Sequence, residues 1–246
     1  MKKVAFHIQK GGTGKTTLSG NVAYHSGKSR KTVLIDCDPQ GNSSSWFITE
    51  TPQYELQDVL KGTVAALEAL VKIKDDFYVL PTFGLNGALK QYAETQLNDE
   101  PFIFEDLCAE LEKIDFEVAI FDLSPGMSRL EKCVLLAMDE VITPLTPEFF
   151  SIDGISIFNN ELKKINKAYR KNVQHKKVVA NNINRSFKRH NVYYNQFQKL
   201  DYELFTVPQD AKIAEAQIYN KSIFDYYPES KTIPEIKKLT AAIVGA

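Results

Sequence analysis

Between Gln9 and Thr17 the chain reads QKGGTGKTT and then passes into a helical pattern. Gly11, Gly12 and Gly14 let a backbone take positive φ and turn its N–H groups toward phosphate oxygens, which the following helix N-terminus also attracts. Lys15 is placed to neutralise β and γ phosphates, and the Thr16 hydroxyl can ligate Mg²⁺. The run fits G-x-x-x-x-G-K-S/T only as a variant, because Gln9 or Lys10 stands where the first glycine usually sits. A plain glycine turn is the bland alternative, and GKT at a strand-to-helix junction argues against it.

Two further carboxylate groups sit where such a loop would need them. In LIDCDPQGN, Asp36 and Asp38 are two apart, so in an extended segment both point the same way while Cys37 faces the opposite side as a small core residue. One carboxylate can orient Mg²⁺-bound water and the other the attacking water, although Asp, Pro, Gly and Asn also make an ordinary turn. In VAIFDLSPG, four apolar residues close on Asp122, which reads as a metal-shell aspartate. Pro125 and Gly126 then form a loop suited to sensing a γ-phosphate.

These residues must be held by strands that alternate with helices. The spacing predicts strands at Val4–Ile8, Thr32–Ile35, Phe77–Leu80, Val118–Phe121, Glu140–Ile142, Lys177–Ala180 and Leu204–Val207. Helices are predicted at Lys15–Ser26, Leu56–Leu70, Phe102–Ile114, Ser128–Met138, Ile155–Tyr169, Asn191–Lys199 and Ile233–Val244. That alternation means an α/β fold with a mostly parallel, twisted sheet covered by helices on both faces, and the chain reads as a single domain over residues 1–246. Its 246 residues give ample core, and a composition of 43% hydrophobic and 25% charged residues excludes disorder, collagen and coiled coil. Cys37, Cys108 and Cys133 are odd in number and lack CxxC spacing, which argues against a disulfide framework or zinc ribbon and for a reducing cytoplasm. No run approaches the ~18 apolar residues of a spanning helix. The formal charge of -1 hides segregation. Residues 94–140 carry thirteen acidic and three basic side chains, and residues 161–199 carry eleven basic and one acidic. The basic stretch is either a solvated face or a surface for a polyanion.

Taken together, KGGTGKTT, DCDPQGN and FDLSPG resemble the phosphate loop, DxDPQGN and metal-binding motifs of the ParA/MinD family of deviant-Walker P-loop ATPases. LLAMDEVITPLTPEFFSIDGI and FTVPQDAKIAEA extend that similarity from the first strand to the last helices. The resemblance implies a slow ATPase with ATP and Mg²⁺ as cofactors. Its nucleotide is held by Lys10, Gly11, Gly12, Thr13, Gly14, Lys15, Thr16 and Thr17, and its metal by Thr16, Asp36 and Asp122. By the same likeness Lys10 is the family's signature lysine, reaching across an ATP-dependent homodimer, Lys15 is catalytic beside it, and Asp38 activates water. Adenine is expected against Asn181 or Asn182, of which Asn181 is taken, and the backbone of Pro208, Gln209 and Asp210, with Gln209 departing from the family's usual arginine. Nonspecific DNA contacts are expected at Arg185, Lys188, Arg189 and Lys212, with Lys199 adding to the basic run.

The resemblance implies partitioning of plasmid or chromosomal DNA with a ParB-type centromere-binding partner, in the cytoplasm and on the nucleoid when ATP is bound. Positioning of a non-DNA cargo by the same site is the alternative. Because Lys3 already opens the first strand, no N-terminal helix-turn-helix is expected. The C-terminal IPEIKKLTAAIVGA lacks the basic and aromatic faces of a membrane-surface helix, so no membrane partner is expected.

Overall fold

The central strands form because their residues are apolar on both sides. β1 (Lys2–Phe6) and β5 (Val118–Leu123) read KKVAF and VAIFDL, and Val4 to Phe6 and Val118 to Phe121 are at most 1% exposed. A computed structural model describes residues 1–84, 87–97, 100–149 and 151–245. In chain order the elements are β1, α1 (Lys15–Ser26), β2 (Thr32–Cys37), α2 (Asn42–Phe47), α3 (Leu56–Leu60), α4 (Ala66–Ala69), β3 (Val71–Lys74), β4 (Phe77–Leu80), α5 (Ala88–Thr95) and α6 (Ile103–Lys113). There follow β5, α7 (Arg129–Leu136), β6 (Glu140–Leu145), α8 (Ser151–Tyr169), β7 (Gln174–Ile183), α9 (Lys188–Phe197), β8 (Glu203–Pro208), α10 (Ala211–Ile218), α11 (Ile223–Tyr226) and α12 (Ile233–Val244).

The strands make one sheet in the order β3-β4-β2-β5-β1-β6-β7-β8, parallel throughout except for the β3–β4 edge pair. Val4, Phe6, Leu34 and Ile120 pack on one face with α1 and α12, and Ala5, Ile35, Phe121 and Val141 pack on the other with α6, α7 and α8. β1 lies between β5 and β6, so the chain leaves the sheet centre in opposite directions from neighbouring strands. Such a switch point opens a crevice at the strands' carboxyl ends. Asp36 and Asp122 are register partners across β2 and β5, which sets the two carboxylates side by side at that crevice.

The doubly covered parallel sheet agrees with the sequence, and three local features do not. The helix expected over Leu56–Leu70 is two short helices, because Gly62 takes φ +68 between them. The edge strand β3 alternates Val71 and Ile73 with Lys72 and Lys74, a pattern that four residues made too short to read. Helices α2, α5, α10 and α11 were also absent from the periodicity. The three cysteines are free and buried, as their spacing suggests.

Candidate functional site

β1 ends at Phe6, and the chain continues through buried His7 and Ile8 into the glycine loop. Gly14, at φ +91, caps α1 with no side-chain hydrogen bond, so the first N–H groups of the helix are left for an anion. A Cβ on Gly14 would lie 2.1 Å from Nδ2 of Asn181, so the left-handed turn and the close approach both require glycine there. Lys15 is 7% exposed and its ammonium donates to the Lys10 carbonyl at 2.9 Å. Burial lowers the Lys15 pKa, while Asp122, Asp38 and Glu131 act against that shift. Beside the loop lies a cavity of about 710 Å³, walled by Gly11 to Thr17, Asp38, Gln40, Asn42, Ser45, Trp46, Pro125 and Gln217.

The three aspartates occupy different environments. Asp36 is well partnered: its Oδ2 accepts from the Ser44 N–H at 2.8 Å and the Ser44 hydroxyl at 2.7 Å, and its Oδ1 from the Asp38 N–H at 3.2 Å. It therefore ties the second loop to the sheet, and its pKa is still pushed up to about 6 by burial. Asp38 lines the cavity and accepts from the Gln40 N–H at 2.9 Å. Asp122 is fully buried, and neither of its oxygens has a hydrogen-bond partner among the described residues. Burial and then the Asp36 charge raise its pKa to about 7, opposed by the Thr16 hydroxyl, which is near but makes no well-formed hydrogen bond to it, and by the Lys15 charge. An orphaned buried carboxylate beside a threonine hydroxyl on a helix N-terminus fits a hydrated Mg²⁺, whose octahedral shell takes oxygen donors and retains water. Thr16 and Asp122 fit as donors, while Asp36, expected beside them, makes three hydrogen bonds to its own following loop.

Other expected residues are placed less directly. Lys10 extends to Glu148, in the turn after β6, and its ammonium meets that carboxylate at 2.6 Å, holding the Glu148 carboxyl below its usual range. Asn181 donates to the Thr13 carbonyl at 2.9 Å and braces the phosphate loop. Pro208, Gln209 and Asp210 are not among the cavity walls. Gln209 accepts from Asn184 at 3.0 Å, and Asp210 caps α10 while accepting from Ser230 at 2.7 Å. Arg185 lies 3.5 Å over the Tyr194 ring, Lys188 and Arg189 are exposed at the start of α9, Lys199 is exposed just beyond it, and Lys212 pairs with Glu215 at 2.7 Å.

Sequence reasoning missed Ser44, Trp46, Glu148 and Gln217. Trp46, the single tryptophan, stacks 4.3 Å from Phe47 against α1, and Gln217 donates to the Thr17 hydroxyl at 3.2 Å. Glu148 lies inside the quoted TPEFF stretch but nothing there names its partner, and no motif marks Ser44, Trp46 or Gln217, which are recruited by tertiary packing. Among the described residues no helix is long and apolar enough to cross a membrane.

The AAA domain family matches residues 1–175 of this chain. Protein BBD21 of Borreliella burgdorferi is 49% identical over 99% of both chains. The chromosome-partitioning ATPase Soj of Treponema pallidum is 30% identical over 67% of this chain and 64% of that relative. An ATP complex of a Cyanothece McdA variant superposes with a TM-score of 0.84 over 100% of this chain and 96% of that one at 16% identity, which is a likeness of fold.

Proposed function

The chain belongs to the ParA/MinD family of P-loop ATPases, of the Soj type, and from that premise we propose that it is an ATP-dependent DNA-partitioning ATPase. The observation that carries the nucleotide reading is an uncapped helix N-terminus and a buried Lys15 on the wall of one cavity, with the unpartnered Asp122 carboxylate buried behind that wall close to Thr16. N–H groups of Gly11 to Thr17 cradle the phosphates, and Lys15 leaves the Lys10 carbonyl for their oxygens. Thr16 and Asp122 would hold Mg²⁺, which would neutralise charge on the phosphates. Asp38 orients the attacking water and accepts its proton, since it is the aspartate that lines the cavity.

Lys10 supplies its charge to the nucleotide of a second subunit, so ATP closes a dimer. That dimer doubles the basic surface of Arg185, Lys188, Arg189 and Lys212 and retains DNA without sequence preference. A ParB-type partner stimulates hydrolysis and releases it. The likeness to a partitioning ATPase named Soj supports this reading.

The test uses Asp38→Ala, which leaves the phosphate contacts in place. The variant is expected to bind ATP, accumulate as a dimer in light scattering and retain DNA at low salt, with hydrolysis reduced by about 100-fold or more. Monomer in saturating Mg²⁺-ATP, for variant and wild type alike, overturns the dimer mechanism. An ATP-loaded dimer that does not retain DNA overturns partitioning and assigns the same switch to a protein cargo.

A further inference from the structure

Glu131 lies in the first turn of α7, outside the walls of the nucleotide cavity, and is only 2% exposed. A carboxylate so buried needs donors, and it makes no ion pair among the described residues. Its donors all come from the loop that follows Asp122. The Ser124 hydroxyl donates to Oε1 at 2.5 Å and the Ser128 N–H donates to Oε2 at 2.7 Å. The Ser124 hydroxyl in turn accepts from the Gly126 N–H at 3.3 Å. A continuous chain of hydrogen bonds thus runs from Gly126 through Ser124 to Glu131.

Part of this arrangement is a helix cap. Ser128 and Glu131 form a capping box, in which the Ser128 hydroxyl accepts from the Leu130 N–H at 3.3 Å. A capping box needs only those two residues. It does not account for the bond to Ser124, seven positions upstream and two beyond Asp122. The same loop also carries Pro125, which is a wall of the nucleotide cavity, so the segment fixed by Glu131 touches the nucleotide site directly. On the far side, Pro39, adjacent to Asp38, shares with Ser124, Gly126 and Glu131 a second cavity of about 340 Å³. The loop therefore runs beside both cavities, and its hydrogen-bonded anchor is Glu131.

We propose that Glu131 is a positioning residue for ATP hydrolysis: through Ser124 it fixes the loop from Ser124 to Ser128 and makes that loop move as one body with α7. The inference rests on the ATPase reading and adds to it a residue that touches neither nucleotide nor metal donor. It also gives α7 a mechanical role, because displacement of its first turn pulls the loop away from the cavity. Loops held by such anchors keep reacting groups in register, and loss of the anchor lowers turnover without removing the groups that bind substrate.

The experiment measures kcat and KM for ATP in full-length wild type, Glu131→Ala, Ser124→Ala, Ser128→Ala and the Glu131→Ala, Ser124→Ala double variant. Glu131→Ala is expected to lower kcat by about 10- to 100-fold with KM within about threefold, since the glycine loop and Lys15 keep their places and the Glu131 charge is the smallest of the three that support the Lys15 ammonium. Ser124→Ala is expected to lower kcat by at least about fivefold although it leaves the cap intact, and the double variant is expected to be no worse than Glu131→Ala alone. Ser128→Ala removes a cap hydroxyl and is expected to lower thermal stability while kcat stays within about twofold. A cap role alone predicts the opposite ranking of Ser124→Ala and Ser128→Ala, and that result overturns the proposal. If Glu131→Ala does not fold, Ser124→Ala decides by the same criterion. Wild type that does not hydrolyse ATP overturns the ATPase reading itself, whereas active wild type with unaffected Ser124→Ala overturns only the role of Glu131.

Discussion

Replacing Asp122 by asparagine is expected to stabilise the nucleotide-free protein at alkaline pH while abolishing Mg²⁺-dependent hydrolysis. The carboxyl is fully buried and unpartnered, and burial, reinforced by the Asp36 charge, raises its pKa from 3.8 to about 7. Between those two values the native state holds a proton that the unfolded state has released, so this group's contribution to stability falls as pH rises from about 4 through 7. A rise of about three in pKa, at ~1.4 kcal/mol for each, puts the destabilisation above pH 7 at about 4 kcal/mol. Asp36, raised to about 6, acts in the same direction.

His7 acts in the opposite sense. Burial lowers its pKa to about 3, so its contribution rises with pH up to about 6.5. The informative quantity is therefore the difference between variant and wild type, in which His7 cancels. Asp122→Asn is expected to match wild type near pH 4 and exceed it by about 2–4 kcal/mol at pH 8, a gain of about 5–15 °C in Tm for a chain of this size. Mg²⁺-ATP is expected to stabilise wild type and leave the variant far less affected. Denaturant unfolding at pH 5, 6.5 and 8, with and without Mg²⁺-ATP, measures all of this. A variant no more stable than wild type at pH 8 refutes the assignment of an uncompensated buried charge to Asp122.

Lys15→Ala removes the cation at the base of the cavity and is expected to abolish ATP binding; because Trp46 is the single tryptophan and walls that cavity, its emission should respond to ATP in wild type and not in the variant. Glu148→Gln frees Lys10 from an ion pair that is partly exposed and so contributes only about 0.5 kcal/mol. With two such pairs per dimer, the ATP-dependent dimerisation constant is expected to rise about fivefold at low salt and less at high salt, by sedimentation equilibrium. Arg185→Glu with Lys212→Glu is expected to remove DNA retention with ATP affinity little changed, and the salt dependence of residual binding should flatten by about 0.9 for each phosphate no longer neutralised. Since Lys212 is already paired with Glu215, most of that effect should be reproduced by Arg185→Glu alone.

What the sequence disclosed and what it withheld follow from the range of the forces involved. β1, β5 and α1 were legible because a strand covered on both faces must be continuously apolar, and a run of three glycines and a lysine between such a strand and a helix suits little besides a phosphate. The aspartates were legible because strand ends in such a sheet converge. Their division of labour was not, since it depends on Ser44, eight residues beyond Asp36, folding back to bond to it while Asp122 is left bare. Lys10 and Glu148 meet across 138 residues, and Gln209 turns to Asn184 and away from the cavity. Periodicity reports whether a position is buried, not which side chain it meets. The helix expected over Leu56–Leu70 failed on one left-handed glycine, whose conformation is invisible in an otherwise regular apolar pattern.

The site is held together by contacts that a bound nucleotide would replace. Lys15 donates to a loop carbonyl and Lys10 to Glu148, while Asp122 accepts from no donor among the described residues. A bare buried carboxylate that costs about 4 kcal/mol is comparable with the ~4 kcal/mol that a ligand at about 1,000 times its Kd returns to the native state. The groups a bound nucleotide would meet first are the aspartate, the phosphate loop and the loop anchored by Glu131, all carried on one eight-stranded sheet. That arrangement suits a timing device. On the proposed reading, a nucleotide in that one cavity would draw Lys15 from its loop carbonyl and Lys10 from Glu148, each toward a phosphate.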